Sequence, residues 1–312
     1  MSDTRAANLA GAGCAALAVL LFSTNDVGIK FLSGDYALHQ IVLIRSLIGT
    51  AVFCAVIMPL SGGWRVVRTR RPALHLARGG CVVVANMSYF LAIAAIPLAD
   101  AVALVFASPI LLSLGSVLFL GERVGPWRWA AIGLGFAGVV VMLRPGSEGF
   151  EAASLLALMA AGFYAGLHLL TRYMRDTESA ATMAFWIQIV FIASSGLIGL
   201  ALGHGRFAGA AHPSVDFLLR GWSWPAAFDW LLLAGIGAGS VLGGYFISQA
   251  YRLAEAAFAA PFEYVAMPMA VVWGVLIWGD WPDATGWLGI ALIVGAGLLM
   301  LWRETRVSPI RR

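Results

Sequence analysis

Ten separate stretches of this chain are apolar for about twenty residues each, and that pattern restricts the fold more than any motif does. They run near residues 8–32, 36–60, 74–96, 98–120, 127–144, 152–173, 179–202, 228–250, 256–279 and 285–303. A bilayer's hydrocarbon core, about 30 Å thick, needs about 20 apolar residues in a helix, so the spacing predicts ten membrane-spanning helices and an all-α integral membrane protein. Composition agrees: 61% of residues are hydrophobic and 12% charged, against about 25% charged in a soluble globular chain. The first run resembles a signal peptide, but it exceeds an h-region of about 7–15 residues and many similar runs follow. It is read as the first span.

The connectors orient the spans. Fifteen of the twenty Lys and Arg residues fall at the N-terminus, at the C-terminus, or in connectors 2–3, 4–5, 6–7 and 8–9, among them Arg65, Arg68, Arg70 and Arg71. Four lie on the other side (Lys30, Arg144, Arg206 and Arg220), and Arg45 falls inside a span. The positive-inside rule places both termini in the cytoplasm. The formal charge of +4 is spread over short connectors rather than along one face, so nucleic acid is not an expected partner. Cys14, Cys54 and Cys81 all sit in apolar runs and offer no disulfide framework or metal motif. No cofactor and no metal site is expected, and His204, His212 and Asp216 are too widely spaced to argue otherwise.

The chain repeats itself. VFASPILLSLGSVLFLGERVGPW, 105–127, is echoed by VAMPMAVVWGVLIWGDWPDATGW, 265–287, so that Pro109 matches Pro268 and Gly121-Glu122 matches Gly279-Asp280. Upstream, Tyr89-Phe90 matches Tyr245-Phe246, and FSTNDVGIK aligns with FYAGLHLLTR, setting Asp26 against His168 and Lys30 against Arg172. The repeating unit is five spans, 1–147 and 148–312. Because five is odd, the second copy crosses the membrane in the opposite sense, and inverted repeats of this kind are characteristic of secondary transporters.

With ASPILLSLGSVLFLGE, IGLGFAGVVVM, MPMAVVWGVLIWGD and IALIVGAGLLM in these places, the chain resembles the EamA-type transporters of the drug/metabolite transporter superfamily over essentially its whole length. Asp280 stands where the second signature usually has Glu. The resemblance implies a basket of ten helices around a cavity lined mainly by spans 1–4 and 6–9, with spans 5 and 10 peripheral. Many members export amino acids and related metabolites from bacteria, and the aromatic amino-acid exporters are the most similar group. The implied setting is the bacterial inner membrane and the implied activity is export of amino acids, aromatic and apolar ones included, and related small metabolites by alternating access, with the same machinery carrying a nucleoside, sugar or other metabolite as the alternative.

Ionisable residues inside a bilayer cost at least about 2.5–3.5 kcal/mol at a helix centre, which makes each a functional candidate. Arg45 is nine residues into its span, roughly 14 Å deep at 1.5 Å per residue. It either fixes a substrate carboxylate or forms a structural ion pair with Asp26 or Glu263. Glu263, between Pro261 and Pro268, either meets a substrate ammonium or proton, or is a desolvated or paired carboxyl. Asp26 and His168 read as gates or proton sites at matching places in the two halves, or, for His168, as a solvated interfacial residue. Asn25, His39, Gln40, Asn86, Tyr89, Tyr164, Trp186, Gln188, Tyr245, Gln249, Tyr264 and Trp273 form a polar and aromatic set suited to an amphipathic pocket or to packing between helices. Pro109, Pro261 and Pro268 are expected hinges.

Two further signals are set aside. GLGFAG, 133–138, matches a dinucleotide fingerprint but lies within a span, where it reads as close packing. Gly235, Gly239 and Gly243 read as a small-residue face. No G-x-x-x-x-G-K-[ST] motif is present to couple ATP, and no nucleophile–base set argues for an enzyme.

Overall fold

The computed structural model of the protein describes residues 2–111, 114–115, 126–146, 151–174, 177–253 and 264–307. Among these, the regular structure is helical. In lipid no water is present to bond exposed N–H and C=O groups, so each span satisfies its own backbone. The first helix, α1, is Ser2–Leu32, followed by α2, Leu38–Val52, which continues through a π-helical turn, Phe53–Ile57, to Met58–Leu60. Then come α3, Pro72–Ile93, α4, Leu98–Val105, α5, Pro126–Leu143, α6, Ala153–Met174, and α7, Ala180–Leu202. A short helix in the long connector, α8, is Pro213–Leu219. The chain closes with α9, Ala227–Leu253, α10, Ala266–Trp273, extended by a π turn Gly274–Trp278, and α11, Ala284–Val307.

Six helices are long and apolar enough to cross a membrane, within α1, α2, α3, α6, α7 and α9, and four shorter apolar helices fall within the other expected segments: Leu98–Leu111, Trp129–Leu143, Ala266–Trp278 and Ala284–Leu299. Leu200, Leu231 and Leu276 point outward with 82%, 69% and 71% of their surface exposed. Such apolar surface would associate in water and matches lipid instead. The helices pack as α1 with α9, α3 with α6, α2 with α7, α4 with α10, and α5 with α11.

These pairings depend on small residues that let backbones approach. A Cβ on Gly237 of α9 would meet the Arg45 carbonyl of α2 at 2.8 Å, and one on Gly49 of α2 would lie 3.1 Å from the Gly237 carbonyl. Gly138 of α5 similarly abuts the backbone of Ile293 in α11 at 3.0 Å, so within GLGFAG Gly135 and Gly138 serve close packing as expected, while Gly133 faces open space. Of the α9 stripe, Gly243 meets the Phe22 ring and Gly239 approaches Leu21, both on α1, whereas Gly235 faces open space.

One end of the bundle is stitched shut. Tyr36 donates to the Asp229 carboxylate and accepts from Ala226 N at 3.0 Å. Gln40 donates to the Ser223 carbonyl and accepts from its N–H at 3.2 Å. Trp222 Nε1 donates to His39 at 2.6 Å, Arg220 to the Ser33 carbonyl at 2.9 Å, and Ser214 to the Leu91 carbonyl at 2.6 Å. His39 and Gln40 therefore anchor the long connector and do not face a pocket, correcting the sequence expectation. Lys30 adds an ion pair to Asp280 at 3.6 Å and a hydrogen bond to the Ile96 carbonyl at 2.8 Å, with Trp278 beneath its ammonium at 5.0 Å. The Arg220 hydrogen bond and the Gly209 N–H hold the Asp216 carboxyl below its usual range, and Arg144 and the Gly286 N–H do the same for Asp283.

Because the carbonyl facing Gly237 cannot move aside as a side chain would, Gly237→Val should destabilise the α2–α9 pair by about 1–3 kcal/mol. Thermal unfolding in detergent is expected to show a clear drop in Tm for it, and none for Gly235→Ala, where space is open.

Candidate functional site

At the centre of the bundle lies a cavity of about 1030 Å³. Its walls come from α1–α4, α6, α7, α9 and α10 and the turns beside them, while α11 contributes Gly297 and no described residue of α5 takes part. This is the distribution the family resemblance implied. The wall reaches the exposed residues Leu60, Ser61, Ser179 and Ala180 at one end and the buried Phe90, Leu98 and Phe191 deeper in. The cavity thus opens at the end that carries the arginine-rich connector and is closed toward the stitched end. A smaller space of about 390 Å³, walled by Ile96, Asp100, Arg144, Trp281 and Asp283, lies at the stitched end. Ile96, whose carbonyl takes the Lys30 ammonium, is one of its walls.

Most of the predicted site residues meet here. Asp26, Arg45, Asn86, Tyr89, Tyr164, His168, Gln188, Tyr245, Gln249, Tyr264 and Pro109 all line the cavity, with Asn25 beside them. Asn86 joins two helices: its carbonyl accepts from Arg45 Nη2 at 3.2 Å and its amide donates to Tyr164 Oη at 2.8 Å. The Asp26 carboxylate accepts from Tyr89 Oη at 2.9 Å and from Asn25 Nδ2 at 3.4 Å. Ser240 Oγ reaches Asn25 Oδ1 from α9 at 2.8 Å. Gln249 donates to Tyr245 Oη at 2.7 Å.

Arg45 is 5% exposed and forms no ion pair with Asp26, which removes that part of the structural reading. Its guanidinium carbon lies instead over the rings of Phe90 and Phe191, 5.0 Å from each centroid. Ring faces carry partial negative charge and offset some of the cost of a desolvated cation. Phe90, Phe191 and Ser240 were not singled out from the sequence, where a phenylalanine or serine in an apolar run looks like packing.

The proline expectations resolve differently at each position. Helix α4 is interrupted by a turn at Phe106 and Ala107, and helical structure resumes at residue 108, placing Pro109 in the new first turn, where a missing N–H costs nothing. Pro268 likewise occupies the first turn of α10 and is exposed, not on the cavity wall. The turn that follows α4 meets the start of α10 inside the cavity, where Phe106 stacks on Tyr264 with centroids 5.1 Å apart and planes at 15°. Glu263 and Pro261 lie outside the described residues. Trp186 is not a cavity residue; it stacks on His75 at 5.5 Å, and Trp273 does not line the cavity. Among the described residues no group of His, Cys, Asp and Glu is placed to hold a metal: His212 caps α8 through the Ser214 N–H and approaches Glu151 at 3.1 Å.

Known proteins share this arrangement. Residues 9–144 match the EamA-like transporter family. A riboflavin transporter of Rhizobium johnstonii is 35% identical over 244 residues, covering 78% of this chain and 75% of that protein. The chain belongs to the EamA-like transporter family. A riboflavin transporter of Vibrio cholerae is 30% identical, with 84% of each chain covered. The pseudopaline exporter CntI of Pseudomonas aeruginosa is 31% identical, covering 90% of this chain and 92% of that one. A protein of known crystal structure shares the fold with a TM-score of 0.65 at 21% identity, over 96% of this chain and 99% of that one. This is a multi-pass membrane transporter and the family is not enzymatic. The expected kinship with aromatic amino-acid exporters is replaced by relatives named for other cargoes.

Lys30 and Asp280 form an ion pair between α1 and the turn after α10 at the closed end, so Lys30→Met should loosen the seal. With the three native cysteines replaced by Ser and Val102→Cys introduced in the cavity wall, a membrane-impermeant thiol reagent applied at the stitched face is expected to label several-fold faster in Lys30→Met. An unchanged rate would place the seal elsewhere.

Proposed function

We propose that this protein is a secondary transporter of a bacterial inner membrane whose cargo is a flavin-sized, fused heteroaromatic metabolite. The observation that carries the reading is the cavity. At about 1030 Å³ it stands at the top of the range for drug-sized ligands, roughly 300–1,000 Å³, and is large for a single amino acid. Tyr89, Phe90, Tyr164, Phe191, Tyr245, Phe106 and Tyr264 supply ring surface, and Arg45, Asn86, Gln188 and Gln249 supply polar contacts. Two of the relatives are named riboflavin transporters, in keeping with such a cargo.

The mechanism proposed is alternating access between two inverted five-helix halves, 1–147 and 148–312, with ten spans and both termini cytoplasmic. The helix pairing supports it: adding five to each span number turns α1 with α9 into α6 with α3, and leaves the pairs α2 with α7, α4 with α10 and α5 with α11 unchanged. An arrangement unchanged by exchange of its halves has an equivalent state open at the other end. In the state seen here the cavity faces the arginine-rich side, inward in the proposed orientation. The interrupted α4 and the start of α10, joined by the Phe106–Tyr264 stack, are the proposed hinge elements, with Pro109 in the helical turn that resumes after α4 and Pro268 in the first turn of α10. Asp26 and His168, on the wall of the same cavity, are the proposed coupling groups.

One feature favours the amino-acid reading: Asp26 and Arg45 bear opposite formal charge, line one cavity and are not paired, which suits a zwitterion. Counterflow in liposomes separates the two. Labelled riboflavin is expected to accumulate in vesicles preloaded with riboflavin, and excess riboflavin outside, but not a mixture of the proteinogenic amino acids, should abolish it. Exchange of amino acids without riboflavin would transfer the assignment to the zwitterion, and a folded protein that exchanges neither would end both.

A further inference from the structure

We infer that Arg45 determines cargo specificity by presenting an unfilled N–H edge to a pair of adjacent acceptors, a carbonyl oxygen beside a ring nitrogen, on the cargo's fused ring. This deepens the proposed function and rests on it.

A guanidinium carries five donors in a planar fork. Arg45 uses one, to Asn86. Its Nε is buried and has no partner, although the residue is 95% removed from solvent by its 5% exposure. A buried donor left unfilled is a structural cost unless something else fills it, and here the unfilled Nε belongs to a residue that lines the cavity.

The surroundings hold that fork in place. The Arg45 main chain is pinned where its carbonyl meets Gly237. The Phe90 and Phe191 rings take the guanidinium against their faces, which leaves its N–H edge as the approach for a ligand. Asn86 is itself oriented by its bond to Tyr164. No carboxylate among the described residues pairs with Arg45, and the oxygens of Asp26 are engaged by Tyr89 and Asn25.

A fixed fork selects two coplanar acceptors lying side by side on one edge of a ligand. Arginine reads guanine in this way, through a carbonyl oxygen and the neighbouring ring nitrogen, and a lysine, with one point charge on a flexible stem, does not reproduce it. The isoalloxazine ring of a flavin offers two such edges: its 4-carbonyl with N5, separated by two ring carbons as in guanine, and its 2-carbonyl with N1, both on one carbon as the oxygens of a carboxylate are. Being uncharged in this ring, such a cargo needs no counter-ion from the wall.

Replacement of either ring nitrogen by CH tests this directly. The purified full-length protein is titrated with riboflavin, 5-deazariboflavin and 1-deazariboflavin by equilibrium dialysis, alongside Arg45→Lys. One of the two analogues is expected to bind the wild type at least tenfold more weakly than riboflavin, while Arg45→Lys binds riboflavin and that analogue alike. Equal binding of all three flavins to the wild type would overturn the inference, a result that needs no variant to be folded. Discrimination that survives in Arg45→Lys would overturn it too, and would leave the flavin reading intact. If the wild type binds none of the three, the flavin reading falls and the inference with it.

Discussion

Everything in this protein follows from a solvent that cannot form hydrogen bonds. In the hydrocarbon interior each backbone N–H and C=O must be satisfied within the chain, which makes the spans helical, and each polar side chain must find a partner within the bundle or open onto a cavity. Several polar groups around the cavity meet this demand by forming short chains of bonds: Arg45 to Asn86 to Tyr164, and Tyr89 to Asp26 with Asn25 and Ser240. These chains tie α1, α2, α3, α6 and α9 around a common space. Arg45 Nε is an exception on the cavity wall, a buried donor with no partner inside the protein.

The same solvent removes the usual drive for helices to associate, since lipid is as apolar as leucine. Contact then comes from shape, and glycine permits the close approaches. Gly49 and Gly237 bring α2 and α9 together beside Arg45, and Gly138 does so for α5 and α11. Packing and recognition are linked at the first of these points: the backbone that carries the buried cation is positioned by a glycine on a neighbouring helix. At the stitched end, water and headgroups are close and polar contacts return. Tyr36, His39, Gln40 and Arg220 hold the long connector down, and Lys30 spans from α1 to the turn that follows α10.

Interruption of a helix is the third element. Helix α4 breaks at Phe106 and Ala107 and helical structure resumes with Pro109 in its first turn, while α10, which starts at Ala266, carries Pro268 in its own. Broken helices leave main-chain groups unsatisfied, and a membrane protein tolerates that only where they line a cavity or are covered by protein. Here the α4 break faces the start of α10 across stacked Phe106 and Tyr264 rings, inside the cavity wall. The positions of the two prolines in the repeated stretch made this readable from the sequence, although the break precedes Pro109 and does not fall on it.

The sequence by itself determined the helical membrane class, the transporter family and most of the cavity's polar lining, because length and hydropathy decide what lipid accepts and a polar residue in an apolar span has few permitted places. Arg45, Asp26, Asn86, Tyr89 and Tyr164 were legible for that reason. Tertiary structure alone decided which partner each one met. Spans that are apolar on every side do not reveal which face turns inward, so nothing in the sequence separated Trp186, stacked on His75, or His39, bonded to Trp222, from residues of the cavity wall. Nor did it show that Arg45 rests on two phenylalanine rings, or which end of the cavity is open. Those facts depend on the relative rotation and crossing of helices, which is set by the sum of many small contacts between distant segments and leaves no mark on any single one.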